Sequence, residues 1–169
     1  MAKRISLANA VCPVARALDV IGDRWSLLIV RDAFDGVRRF SEFQSRLGIA
    51  KGMLASRLRE LVERGVLTTE PASEGSAYQN YVLTERGRSL FLVIVALRQW
   101  GEDHLYANGE RHSLLVDTVR NAPVARLELR SNAGRVLRWN DMRVLKVEEK
   151  KRRPTVARRN KRAARKTGD

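Results

Sequence analysis

The sequence predicts a mainly α chain with a small β component: a winged helix-turn-helix with a dimerisation helix and a small C-terminal β segment. Three observations predict it. Two helical patterns within residues 40–64 are joined at Gly48 by a tight turn. Two strand-like runs, VLTTEP and NYVLT, follow at once and read as a hairpin. A strongly apolar helix comes next. A chance amphipathic helix would not foretell the hairpin behind it.

At 169 residues the chain fits one domain with additions. It divides into a loose arm (1–11), the winged helix domain (12–108), a small β-rich extension (109–148) and a basic tail expected to be disordered (149–169). The net charge is +14 and unevenly placed. Residues 1–110 hold 15 basic and 13 acidic residues, whereas 111–169 hold 18 and 6. Such a chain favours a polyanionic partner. One cysteine forbids an internal disulfide, and a reducing compartment is the default. The opening MAKRISLANA lacks an apolar core of signal-peptide length. The longest apolar run, 90–97, falls far below the ~20 residues of a membrane span. A soluble cytoplasmic protein without membrane contact is expected.

Taken in order, Cys12 and Pro13 open the first helix, with Pro13 at the position where its missing amide costs nothing. That helix stops at Gly22. A second, RWSLLIVRDAF, should bury Trp25, Leu28, Ile29 and Phe34 before Asp35 and Gly36 turn the chain. Ser41 with Gln44 fits a capping box for the third helix. The fourth begins near Ala50, carries Leu54, Leu58, Leu61 and Val62 on one face, and ends at Gly65. Its opposite face holds Gly52, Ala55, Ser56 and Arg59, with Lys51 in the first turn and Arg57 at the boundary. Small and basic residues there let a helix sit deep in a DNA major groove. The plain alternative is an ordinary solvated face.

The hairpin tip is ASEGSAYQ. Thr84 caps a helix over 85–105, apolar nearly all round through Leu90, Phe91, Val93, Ile94, Val95, Leu97 and Trp100. Such a helix must be buried on more than one side. A second copy of the chain is expected against Leu90, Ile94, Leu97 and Trp100, which makes a homodimer; coverage by the C-terminal segment is the alternative. Beyond His112 the pattern alternates, and VARLELR and RVLRW read as strands around residues 131–134. The last twenty residues hold ten Lys or Arg and one acid. Lys150, Lys151, Arg152, Arg153, Arg158 and Arg159 suit phosphate contacts, which would add salt-sensitive, non-specific affinity; a solvated tail is the alternative.

Several blocks stand in the order of a known family: Cys12-Pro13, the Gly-Asp-Arg-Trp element, residues 39–43 (RFSEF), 54–61, and LTERG at 83–87. Over about 12–106 the chain resembles the HxlR family of bacterial winged helix regulators, related to the MarR type. The resemblance implies a sequence-specific transcriptional regulator, not an enzyme, that binds double-stranded DNA as a homodimer on an inverted repeat. It makes Lys51 and Ser56 candidate base contacts and Arg57 and Arg59 candidate phosphate contacts, with Arg59 also able to bond a guanine bidentately. Arg57 can instead pair with Glu60 or Glu63. The wing departs from the family pattern, since TTEPASEGSAYQNY has no basic residue and contains Glu70 and Glu74; Gln79 and Asn80 can still bond the DNA backbone.

Some family members sense oxidants or electrophiles through a cysteine at the place of Cys12, and a helix N-terminus does stabilise a thiolate. Simple burial is the alternative. A small-molecule effector is also possible on this resemblance. No cysteine follows Cys12 and the two histidines stand alone, so neither a metal site nor a cofactor is expected. The competing function is a nucleic-acid compaction protein driven by its tail. No arrangement of nucleophile, base or phosphate loop supports an enzyme.

Overall fold

A computed structural model describes residues 5–146. Among the described residues, six helices and one antiparallel pair of strands run in the order α1 (Pro13–Ile21), α2 (Arg24–Phe34), α3 (Phe40–Leu47), α4 (Lys51–Glu63), β1 (Leu67–Pro71), β2 (Gln79–Leu83), α5 (Glu85–Arg88) and α6 (Phe91–His104). This is the expected winged helix-turn-helix.

Short-range chemistry sets the helix boundaries. Asp23 caps α2 by accepting the amides of Trp25 and Ser26 at 3.0 and 3.1 Å. Gly48 closes α3 in the left-handed region at φ 60°, which a side chain would resist. Ser41 does not open α3. The N-cap lies two residues earlier, at Arg39, and the Glu42 carboxylate accepts the amides of Arg39 at 3.1 Å and Arg38 at 3.3 Å. An ionised carboxylate is the stronger acceptor for orphan amides, so Glu42 takes the role the sequence had given to Ser41 and Gln44.

The core gathers Ile29 and Val30 from α2, Phe43 from α3, and Leu54, Leu58 and Leu61 from α4, all fully buried. Burying each such side chain contributes about 1.5–3 kcal/mol. Trp25, Leu28 and Phe34 are only half-buried, and the Arg24 guanidinium lies over the Trp25 ring at 4.8 Å. The arm is less loose than expected. The Leu7 amide donates to the buried carboxylate of Asp19 at 2.8 Å, and Arg64, just past α4, reaches the same carboxylate at 3.3 Å.

In the wing, Leu67 pairs with Leu83 and Glu70 with Asn80. The segment before α3 joins this sheet: Tyr81 donates to the Arg38 carbonyl at 2.8 Å, and Arg39 bridges Asn80. Thr84 caps α5 as expected, accepting the Gly87 amide at 3.0 Å. The predicted single helix over 85–105 is interrupted at Ser89 and Leu90, where the Leu90 amide bonds back only to Gly87. Gly87 explains the break. Its backbone presses so closely on Val66 that an added Cβ would lie 2.1 Å from the Val66 oxygen, so α5 follows the wing while α6 follows α2. Phe34 and Phe91 meet edge-on at 5.3 Å between α2 and α6.

The extension forms no regular strand among the described residues. Isolated bridges join Val116 to Pro123 and Arg130 to Val136, the second closing the expected turn, with Gly134 donating to the Ser131 carbonyl at 2.8 Å. Side-chain bonds to α6 hold this segment in place of a ladder. The buried Gln99 amide donates to the Ala125 carbonyl at 3.1 Å and accepts the Leu127 amide at 2.9 Å. Glu102 takes Arg98 at 2.8 Å from its own helix and Arg126 at 3.1 Å from the extension.

Candidate nucleic-acid interface

Helix α4 turns its leucines into the core and a different chemistry outward. Lys51, Gly52, Ala55, Ser56 and Arg59 are all exposed. Among the described residues neither Lys51 nor Arg59 holds an ion pair, so both charges face solvent. A Cβ built on Gly52 would meet nothing within 4 Å, so no packing inside the chain demands glycine there. The exposed Met53 also belongs to the outer surface, although its apolar character had hidden it in the sequence.

Arg57 sits differently. It is half-buried, bonds Glu60 at 2.7 Å, and places its Nε 3.5 Å from the Asp23 carboxylate, an ion pair without a hydrogen bond. The structural pairing that the sequence left open is therefore present. A guanidinium between two carboxylates is poorly placed to hold a phosphate as well.

On the wing, Gln79 is exposed, while the Asn80 side-chain oxygen is buried without a hydrogen-bond partner. Asn80 thus serves the sheet more than the surface. Tyr78 is 81% exposed beside Gln79 and was missed in the sequence. Arg38 and Arg39, both exposed, carried no assigned role in the sequence beyond Arg39's place in the block at 39–43; their position shows once the segment before α3 is seen to join the wing.

Cys12 is exposed and is the N-cap residue of α1, where its side chain makes no capping bond. The residues expected at a dimer contact divide into two sets. Leu90 and Ile94 pack partly buried against this chain's own core, whereas Leu97 and Trp100 are 48% and 56% exposed. With Val93, also exposed, the latter two form one open apolar side of α6, opposite the side that carries Val95 and Gln99. The six tail residues from Lys150 to Arg159 expected to touch phosphate lie outside the described residues.

A helix-turn-helix with a two-stranded wing and an exposed, small-residue second helix defines the class: a winged helix protein built to present α4. The HxlR-like helix-turn-helix family matches residues 20–109, and the chain belongs to that family. A 92-residue stretch is 51% identical to the uncharacterised HTH-type transcriptional regulator MT3179 of Mycobacterium tuberculosis, covering 54% of this chain and 58% of that protein. The match therefore spans little more than half of the mycobacterial relative. The solved structure of PA1607, a candidate transcription factor, superposes with a TM-score of 0.80 at 52% identity, covering 83% of this chain and 99% of that one. The redox regulator HypR in its reduced form matches at TM-score 0.52 and 35% identity over 56% of this chain and 94% of its own. No helix among the described residues is long and apolar enough to cross a membrane.

Proposed function

We propose that this protein is a cytoplasmic transcriptional regulator that binds double-stranded DNA as a homodimer, with one α4 per subunit in successive major grooves of an inverted repeat. The observation that carries this reading is the outward face of α4. Lys51, Gly52, Ala55, Ser56 and Arg59 offer donors without a bulky apolar side chain on the line through Gly52, Ser56 and Arg59. The open side of α6 supports the dimer, since Val93, Leu97 and Trp100 form an apolar surface that water serves poorly.

Cys12 favours a regulator that responds to oxidants or electrophiles, because its free thiol at the start of α1 is exposed and open to a reagent. With one cysteine per chain, the response would run through an adduct or through a bridge to the second subunit. A small-molecule effector without covalent chemistry is the other route to regulation. The basic tail, through Lys150 and its neighbours, would add non-specific affinity for the same DNA.

Selection from random duplex DNA by the full chain at moderate salt tests the central claim. An enriched inverted repeat with half-sites about 10 base pairs apart supports a dimeric, base-reading regulator. Binding without any enriched motif would overturn it in favour of tail-driven compaction.

A further inference from the structure

A crevice of about 700 Å³ lies between the start of α3 and the tip of the wing. Arg39 and Ser41 line one wall, and Tyr78 and Gln79 line the other. Every one of these four side chains can donate a hydrogen bond, and no carboxylate is among the described lining residues. The rest of the lining is largely aromatic and methyl surface, including Phe40 and Ala77. Arg39 holds no ion pair within 4 Å among the described residues, although its charge is felt by the nearby Glu42 carboxylate, whereas Arg46 and Arg57 are each engaged directly by carboxylates. Its backbone is fixed by the Asn80 bridge and by the Glu42 carboxylate, so the guanidinium stems from a rigid point and not from the wing tip.

We propose that this crevice binds a sugar–phosphate unit of the DNA strand beside the base-reading helix, with Arg39 as its phosphate ligand. The inference rests on the DNA-binding reading and adds a contact that reading did not assign. A phosphodiester calls for a cation and hydroxyl or amide donors, and a deoxyribose calls for C–H surface; the two kinds of wall supply both. The position suits the purpose, because the first helix of a helix-turn-helix crosses the DNA backbone. It also resolves the problem of an acidic wing. Glu70 and Glu74 repel phosphate on the hairpin itself, and the cation that a wing needs stands instead on the segment that joins its β2 edge at Asn80.

The test measures affinity of the full chain for its selected duplex from 50 to 300 mM KCl. Arg39→Ala should flatten the log–log salt slope by about 0.9, which corresponds to roughly eightfold weaker binding at 0.1 M salt, and should leave the selected motif unchanged. Arg39→Lys should restore the slope. An unchanged slope in Arg39→Ala, while the wild type still selects a motif, overturns the crevice contact and leaves the regulator reading intact. A wild type that selects no motif overturns both. Inorganic phosphate, titrated at constant ionic strength, distinguishes the source of the anion. Sub-millimolar binding lost in Arg39→Ala would make the crevice a site for a free phosphate compound and overturn its assignment to DNA.

Discussion

Arg57 of α4 reaches back to Asp23, the residue that caps α2, and bonds Glu60 within its own helix at 2.7 Å. One side chain thus ties the angle of α4 to the start of α2. Arg59, two residues on, is exposed and holds no ion pair.

The two arginines should therefore separate stability from recognition. Arg57→Ala is expected to lower stability by about 1 kcal/mol, the ordinary worth of a partly exposed pair, with little change in site preference. Arg59→Ala should leave the melting temperature unchanged and cost about 1–3 kcal/mol of operator binding with relaxed selectivity. Thermal melts beside competition binding against scrambled duplex would show the split; equal loss of selectivity in both variants would refute it.

Gly52 gives a second separation. Glycine weakens a helix relative to alanine, and a Cβ at this position has open space around it. Gly52→Ala should raise stability by about 0.5 kcal/mol, less than the full propensity difference because the site lies in the first turn. It should weaken operator binding, since the added methyl meets the groove floor. Gains in both quantities would show that α4 does not approach DNA on this face.

The Gln99 latch predicts local opening. Gln99→Ala leaves the Ala125 carbonyl and the Leu127 amide without their partner, a loss of about 1–3 kcal/mol concentrated in the docking of the extension. Amide exchange at Leu127 should accelerate by at least roughly fivefold, with the winged helix core unaffected. Unchanged protection at Leu127 would mean that other contacts hold the extension.

Glu42 provides a pH dependence. Hydrogen bonds from the Arg39 and then the Arg38 amide hold its carboxyl below the usual 4.5, helped by the Arg39 charge. A folded-state pKa below the unfolded one adds stability that is present above pH 4.5 and is lost as pH falls through the lower folded value. Glu42→Gln should therefore melt below the wild type at pH 7, and the gap should close in acid. A gap that persists once the carboxyl is protonated would show that its charge is not what caps α3.

The sequence disclosed most of this fold because its punctuation is local. Gly48, Thr84 and the leucines of α4 act within a few residues of themselves, and each stands where expected. What escaped depends on contacts between distant segments. The break at Ser89 arises from Gly87 pressing on Val66, and nothing near residue 87 signals it. The extension's alternating residues suggested a ladder, whereas a single glutamine 26 residues upstream of Ala125 supplies the bonds. The outward set of α4 was legible from helical spacing. Arg39 was not, because a basic residue before a helix acquires a role only when the wing folds beside it.

Asp19 draws three distant parts of the chain to one buried carboxylate: the arm through Ser6 and Leu7, α1 itself, and the end of α4 through Arg64. Losses at these places should not add. Once Arg64 is removed, the charge depends more heavily on the arm, so Ser6→Ala should cost more in an Arg64→Ala background than alone. A double-mutant cycle should return an interaction energy of roughly 0.5 kcal/mol or more between residues far apart in sequence. The N-terminal arm and the exit of α4 thus share a single thermodynamic account, and a disturbance that frees one loosens the other.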